Sequence, residues 1–325
     1  MTGKGRHGKS ERVQLKRLLK LAEGLPPLTM AVVHPVDEES LRGALEARDQ
    51  GLIQPVLVGP GHRIRRCAEE AGVSLADVAI EETEHSHGAA ERAAAMAREG
   101  EVDALMKGSL HTREFMGAIV PRDAGLRTGR RMSHVWVMDV PSYPRPLLIT
   151  DSAINIRPDL MTKADIIQNA IELSEAMGTD RPRVAIISAT EEVNPALQST
   201  VDAAALCKMA ERGQIRGGRL DGPLAFDNAI SEEAASAKGI GGDVAGRADI
   251  LLAPDVESAN MLGKQLHYLA GAEAAGIVLG ARVPLVLTSR ADDRFSRMAA
   301  CAIAQLMVKA AKDRREQAMR EQRES

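Results

Sequence analysis

Short aliphatic or β-branched runs alternate along this chain with alanine-rich stretches whose apolar residues recur at three-and-four spacing. The runs at 30–33, 55–58, 103–106, 134–140 and 147–150 predict strands, as do those at 184–188, 250–253, 276–279 and 285–288. Between them, Leu41, Ala44 and Leu45 predict a helix that stops at Gly51. Ile166, Ile167, Ala170, Ile171 and Leu173 predict another that stops at Gly178. Strands separated by helices of this length imply βαβ units and a mainly parallel sheet, so the fold class is α/β. A last helix is expected from Asp292 to about residue 311, with Phe295, Met298, Ala299, Ala302, Ile303, Leu306 and Met307 on one face. Residues 312–325 are nearly all polar and are expected to fray, and the first ten are expected to be mobile. The cluster Val140-Pro141-Ser142-Tyr143-Pro144 reads either as a domain junction or as a hairpin loop.

Composition narrows the function classes. With 325 residues, 44% hydrophobic and 27% charged, the chain can bury a substantial core, which excludes disorder and disulfide scaffolds. A net charge of −3 does not advertise nucleic acid or an anionic membrane as partner. One Trp, two Tyr and three Phe leave few stacking platforms for single strands. The scattered Cys67, Cys207 and Cys301 suit a reducing compartment and offer no C-x-x-C metal pair. No apolar run approaches the roughly 20 residues of a membrane span, and the basic leader has no apolar region behind it, so the chain reads as cytoplasmic.

Gly3-Lys4-Gly5-Arg6-His7-Gly8-Lys9-Ser10 matches the P-loop pattern and also supplies G-x-G-x-x-G spacing. Both motifs need a buried strand leading into the loop, and only Met1 and Thr2 precede it, so a basic leader is the reading. His85 and His87 lack a carboxylate cluster, and no metal is expected there.

The strongest segment is Val283 to Asp293, in which an aliphatic strand runs into Thr288, Ser289, Arg290, Asp292 and Asp293 before a helix. Ser289 with Asp292 is a helix-start pattern, but capping does not ask for Arg290; an arginine beside exposed N–H groups is an anion cradle. A second strand runs into Lys107-Gly108-Ser109-Leu110-His111-Thr112. Here His111 reads on its own as a helix-start hydrogen-bonding partner. Arg127, Arg130 and Arg131 lie with Thr128 ahead of Ser133 in a loop that either grips phosphate or is merely solvated. An internal echo joins Thr150-Asp151 through Asn155 to Asp255 through Asn260: in each, a strand ends in polar groups, as at the carboxyl edge of ligand-binding sheets. Asp221 through Ser231, including Asp227 and Asn228, reads as a turn-rich segment opening a helix at Ser231, with a ligand or hinge role open for Asp221.

Taken in order, these segments resemble the phosphate acetyl/butyryltransferase family from about residue 31 to 310. The matches are Met106-Lys107-Gly108 with His111-Thr112, Gly125 to Arg130, Thr150-Asp151 through Asn155, Val201 to Leu206, Asp221-Gly222-Pro223, Asp227 to Ser231 and Thr288 to Asp292. Several look closer to the butyryltransferase side and to acyltransferase modules fused to hydratase domains. The resemblance implies a two-domain fold of the isocitrate/isopropylmalate dehydrogenase type with parallel-rich sheets and an interdomain cleft. The first domain would hold residues 1–139 and 288–325, including the C-terminal helix, and the second 140–287. It implies reversible transfer of a short acyl group, acetyl or butyryl, between coenzyme A and inorganic phosphate, in a homodimer and with no cofactor beyond coenzyme A as substrate. Ser289 would orient the thiol, Arg290 would bind the phosphoryl group and Asp292 would serve as base. Substrate would be met by Ser109, His111 and Thr112, by Arg127, Arg130 and Ser133, by Asp151 and Asn155, and by Asp227, Asp255 and Asn260.

The chemistry agrees: a thiol with a pKa near about 8.5 gains from a hydrogen-bonding base, and a phosphate leaving group mainly needs neutralising and positioning. One departure stands out. The acetyltransferase pattern has its carboxylate seven residues after the serine, where this chain has Ser296. Either Asp292 takes over, with Asp293 also at hand, or proximity and Arg290 suffice. Other readings are a non-catalytic sensor of acyl phosphate or coenzyme A, a metal-dependent dehydrogenase on the same scaffold, and a nucleotide hydrolase using Gly3 to Ser10.

Overall fold

The computed structural model describes residues 12–287 and 293–324. Its contacts divide the described chain into two units. The first holds 18–132 with 276–287 and 293–324, and the second holds 12–17 with 133–275. These boundaries differ from the expected 139/140 and 287/288. The reason is local: residues 140–146 close an antiparallel hairpin, so a cut at 140 would split two paired strands.

After α1 (Val13–Ala22) the first unit builds β1 (Leu28–Val33), α2 (Glu38–Asp49), β2 (Ile53–Gly59), α3 (Gly61–Ala71) and β3 (Ala79–Glu82). It continues with α4 (Ser86–Glu99), β4 (Ala104–Lys107) and α5 (Thr112–Ile119). The second unit follows with β5 (Ser133–Asp139), β6 (Leu147–Thr150), α6 (Leu160–Ala176), β7 (Arg183–Ile187), α7 (Gln198–Glu211) and β8 (Arg219–Leu224). Then come α8 (Phe226–Ile230), α9 (Glu232–Ala237), β9 (Ile250–Leu252), α10 (Val256–Ala270) and β10 (Glu273–Leu279), with β11 (Leu285–Val286) and α11 (Arg294–Glu324) completing the first unit.

In the first unit the strand order is β3-β2-β1-β4-β11-β10, parallel except where β10 meets β11. β1 and β4 are almost wholly buried because helices cover both faces, which is why they read as continuous apolar runs. In the second unit the order is β5-β6-β9-β7-β8, parallel apart from the β5–β6 hairpin. The Tyr143 hydroxyl in the hairpin loop donates to the Ala248 carbonyl at 2.6 Å. Gly263 of α10 lies against the Trp136 ring, where a Cβ would collide, so only glycine lets this helix seat on β5.

Three expectations need correcting. Residues 219–224 are a strand rather than a turn, with Ser231 capping α9 as expected. The last helix runs on to Glu324 instead of fraying after 311, held along its exposed turns by pairs such as Lys309 with Asp313 and Gln317 with Glu321. Its apolar part is buried all round from Ala299 to Ala304, not on one face, and the small residues there let neighbours approach from every side. The first eleven residues, with their P-loop-like pattern, lie outside the described ones.

Candidate active site

In the first unit, β1, β4 and β11 run parallel, so Val33, Lys107 and Val286 finish at one carboxyl edge. From β1 the chain passes through α2 to β2 on one side, while β4 lies on the other; such a switch point is where open α/β sheets hold ligands. The turn from β4 into α5 sits directly on the end of β1. Gly108 makes this possible: a Cβ there would come within 2.5 Å of the Val33 carbonyl and 3.0 Å of the His34 carbonyl. The Gly108 N–H donates to Val33 O and the Ser109 N–H to His34 O, both at 2.9 Å. His34 Nδ1 lies 3.0 Å from Ser109 O, and the buried Lys107 ammonium donates to the carbonyls of Gly108 and Leu110 at 3.2 and 3.3 Å.

Beside this turn Asp37 caps α2, accepting from the Ser40 N–H at 2.7 Å. Burial works against its ionisation, but the Ser109 hydroxyl, Ser40 and the Arg297 guanidinium outweigh it and hold Asp37 below the usual carboxylate range. Arg297, itself buried, donates to Glu39 O at 2.7 Å and faces the Glu39 carboxylate at 3.3 Å. The start of α11 is thus tied to the start of α2. His111 occupies the cap position of α5, yet its side chain makes no cap hydrogen bond; it and Thr112 stay exposed.

Arg127 is placed elsewhere in the first unit. It donates to the carbonyl of Val120, just past α5, and its backbone bridges Ala281 ahead of β11. Both anchors lie at the ends of those elements opposite the 107–112 turn. Arg130 follows in the same loop, its N–H donating to Thr128 Oγ1 at 3.2 Å.

The second unit has its own carboxyl edge, where the internal echo becomes spatial: β6 and β9 are parallel neighbours, with Thr150 opposite Leu252. Asp151 is buried and accepts from the N–H groups of His134, Ala153, Ile154 and Asn155 and from the Asn155 amide, at 2.6 to 3.1 Å. Asp255 caps α10, taking the N–H and hydroxyl of Ser258 at 2.8 Å. Asn260 donates to Ser152 O, and Ser133 is bound to Asn169. Burial pushes His134 down to about 4 although Asp151 pulls the other way. Asp227 stands apart at the start of α8, exposed and paired with Lys238 at 3.3 Å.

Ser289, Arg290 and Asp292 fall outside the described residues. The expected Ser289–Asp292 helix start lies outside the described residues with them; α11 is described from Arg294, where the Ser296 N–H donates to Asp293 at 2.9 Å. Ser296 is buried. Among the described residues, no group of three or more His, Cys, Asp or Glu gathers as a metal site. His85 instead caps α4, and His87 faces Glu91. The sequence reading missed His34, Asp37 and Arg297 as site residues. Only Asp37 carried a usable signal, an acid three residues ahead of Ser40 at a helix start.

Two α/β units with polar turns gathered at parallel strand ends define a protein built to hold small ligands there. The family model described as phosphate acetyl/butaryl transferase matches residues 81–305, and the chain belongs to that family. It is 57% identical over 290 residues to the phosphate acetyltransferase of Rhizobium meliloti, covering 89% of this chain and 92% of the relative. To the phosphate butyryltransferase of Clostridium beijerinckii it is 42% identical over 291 residues, covering 90% and 96%. These identities run against the expected lean to the butyryl side. Among solved structures it is similar to a branched-chain phosphotransacylase from Enterococcus faecalis V583, with TM-score 0.75, 27% identity and coverage of 86% and 99%.

Proposed function

We propose that this chain transfers an acetyl group reversibly between coenzyme A and inorganic phosphate. Family membership and the 57% identity to a phosphate acetyltransferase support the reaction and the acyl group. The observation that carries the residue roles is the shared edge: Leu287, the last described residue before Ser289 and Arg290, follows β11 at the same carboxyl edge as the 107–112 turn. In the acyl-CoA-forming direction the thiol adds to the acyl carbonyl, the carbon–oxygen bond to phosphate breaks, and the thiol proton passes to a base. Ser289 orients the thiol, Asp292 takes its proton, and Arg290 neutralises the phosphoryl group. His111 and Thr112 offer imidazole, hydroxyl and helix-end N–H groups to the same anion, beside Ser109, whose own hydroxyl and N–H are taken by Asp37 and His34. Arg127 and Arg130 serve the more distant phosphates of coenzyme A. So drawn, the transfer needs neither metal nor redox cofactor.

The scaffold we infer is of the isocitrate/isopropylmalate dehydrogenase type, supported by a chain path that leaves the first unit after residue 132 and resumes it at 276. A cytoplasmic homodimer fits three free cysteines and the outward-facing Met261, Tyr268 and Leu269 of α10.

The test is thioester formation from acetyl phosphate and from butyryl phosphate, in buffer with excess chelator. Acetyl phosphate should be preferred, and Arg290→Ala should lower kcat/KM by about 100- to 1,000-fold. Asp292→Asn should lower the rate at neutral pH and leave a remainder that climbs with pH as the thiol ionises without a base. Sedimentation of the same preparation should give twice the 34.8 kDa chain mass. No thioester from either substrate would remove the enzyme reading and favour the sensor.

A further inference from the structure

His34 is an expensive residue for its place. It has φ +56°, a left-handed backbone that a side chain with a Cβ disfavours. Its ring is buried, with only 6% of the residue exposed. Nδ1 faces the Ser109 carbonyl, which can only accept, so Nδ1 carries the proton and Nε2 is left with a lone pair. Nε2 is buried and has no hydrogen-bonding partner. A strained backbone and an unsatisfied buried nitrogen persist together only where the surroundings hold the residue for another purpose.

The surroundings are the β4–α5 turn. Its three successive carbonyls, at Gly108, Ser109 and Leu110, are met by Lys107, His34 and Lys107 in turn. Its first two N–H groups are fixed on Val33 O and His34 O. Carbonyl oxygens carry partial negative charge, and an anion approaching a strand–turn–helix corner is repelled by any that face it. Here each is engaged by a donor of the first unit, and the side chains left unengaged at the corner are His111 and Thr112.

We propose that His34 is a positioning residue for phosphate: through Nδ1–H it holds the Ser109 carbonyl away from the anion that the 107–112 turn receives. This rests on the acyltransferase reading of that turn. His34 does not touch substrate, and Nε2 takes no part in proton transfer.

The variants separate the two nitrogens. Asparagine tolerates the left-handed backbone and carries an amide N–H close to where Nδ1–H stood, but nothing at Nε2. His34→Ala should raise KM for phosphate about tenfold, the equivalent of one lost hydrogen bond, with kcat and KM for coenzyme A within about twofold. His34→Asn should restore the phosphate KM to within about threefold of the parent. Asparagine as damaging as alanine, or a fall in kcat at unchanged phosphate KM, would overturn the proposal. Should His34→Ala not fold, the parent protein decides by nitrogen-15 spectroscopy of the His34 ring at neutral pH. Nδ1 protonated and Nε2 bare supports the proposal, and the reverse tautomer sinks it. That spectrum needs no turnover, so it stands even if the wild-type chain forms no thioester.

Discussion

The two units end their parallel strands in similar-looking polar residues and spend them differently. At the edge of the second unit every polar group picked out by sequence is engaged with its own chain: Asp151 with five donors, Asp255 with Ser258, Asn260 with Ser152 and Ser133 with Asn169. At the edge of the first unit the inner groups are likewise engaged, but His111 and Thr112 face solvent at the start of a helix that no side chain caps. A saturated edge holds shape, whereas an edge with donors to spare can bind. Residue type at a strand end therefore says less about function than the number of partners already taken.

Substitution at Asp151 should show the largest effect. Asp151→Asn keeps one acceptor oxygen but turns an NH2 group toward the two donors of Asn155. The loss of charge-assisted bonds at a buried site should cost about 3 kcal/mol, read as a lower urea midpoint at unchanged slope. The fraction still folded should keep its phosphate KM. A normal midpoint with a raised KM would instead make Asp151 a ligand group and erase the contrast between the edges.

Acid should separate the two edges next. Burial first, opposed by Asp151, lowers His134 to about 4. An unfolded histidine titrates near about 6.5, so between these values the unfolded chain binds the extra proton and stability falls as pH falls. The loss should reach about 2–3 kcal/mol by pH 4, with none above about pH 6.5. Asp37 in the first unit has the same sign but a lower window: its lowered value adds stability above the ordinary aspartate range, lost only as pH drops below it. Amide exchange at pH 4.5 should therefore rise around β5 and β6 before it rises around α2. His134→Gln should flatten that limb, and equal exchange in both regions would break the comparison.

What could be read beforehand divides along the same physical line. Strands buried on both faces announced themselves as apolar runs, and β6 was delimited to the residue. β3 escaped because Ala-Ile-Glu-Glu at a sheet edge is half exposed, and β8 because Asp221, Gly222 and Pro223 mimic a turn on an outer strand that tolerates proline. The helical run after Lys312 was invisible because exposed turns held by ion pairs leave no apolar face. At the site, local grammar was legible: Asp255 and Ser231 are caps. The contacts among His34, Asp37, Ser109 and Arg297 were not, since they join residues far apart in the chain whose meeting only the sheet order decides.

The smallest expected effect on stability belongs to the first edge and sharpens the comparison most. His111 makes no cap bond and Thr112 is exposed, so neither side chain supports the fold as Asp151 does. His111→Ala and Thr112→Ala should each leave the urea midpoint within about 0.5 kcal/mol of the parent, the ordinary range for surface positions. Their cost should appear in binding, as a phosphate KM raised severalfold at nearly constant kcat, because an interaction equally present in ground and transition states moves KM alone. A stability loss above about 1 kcal/mol in either variant would mean that this edge, too, spends its side chains on its own chain.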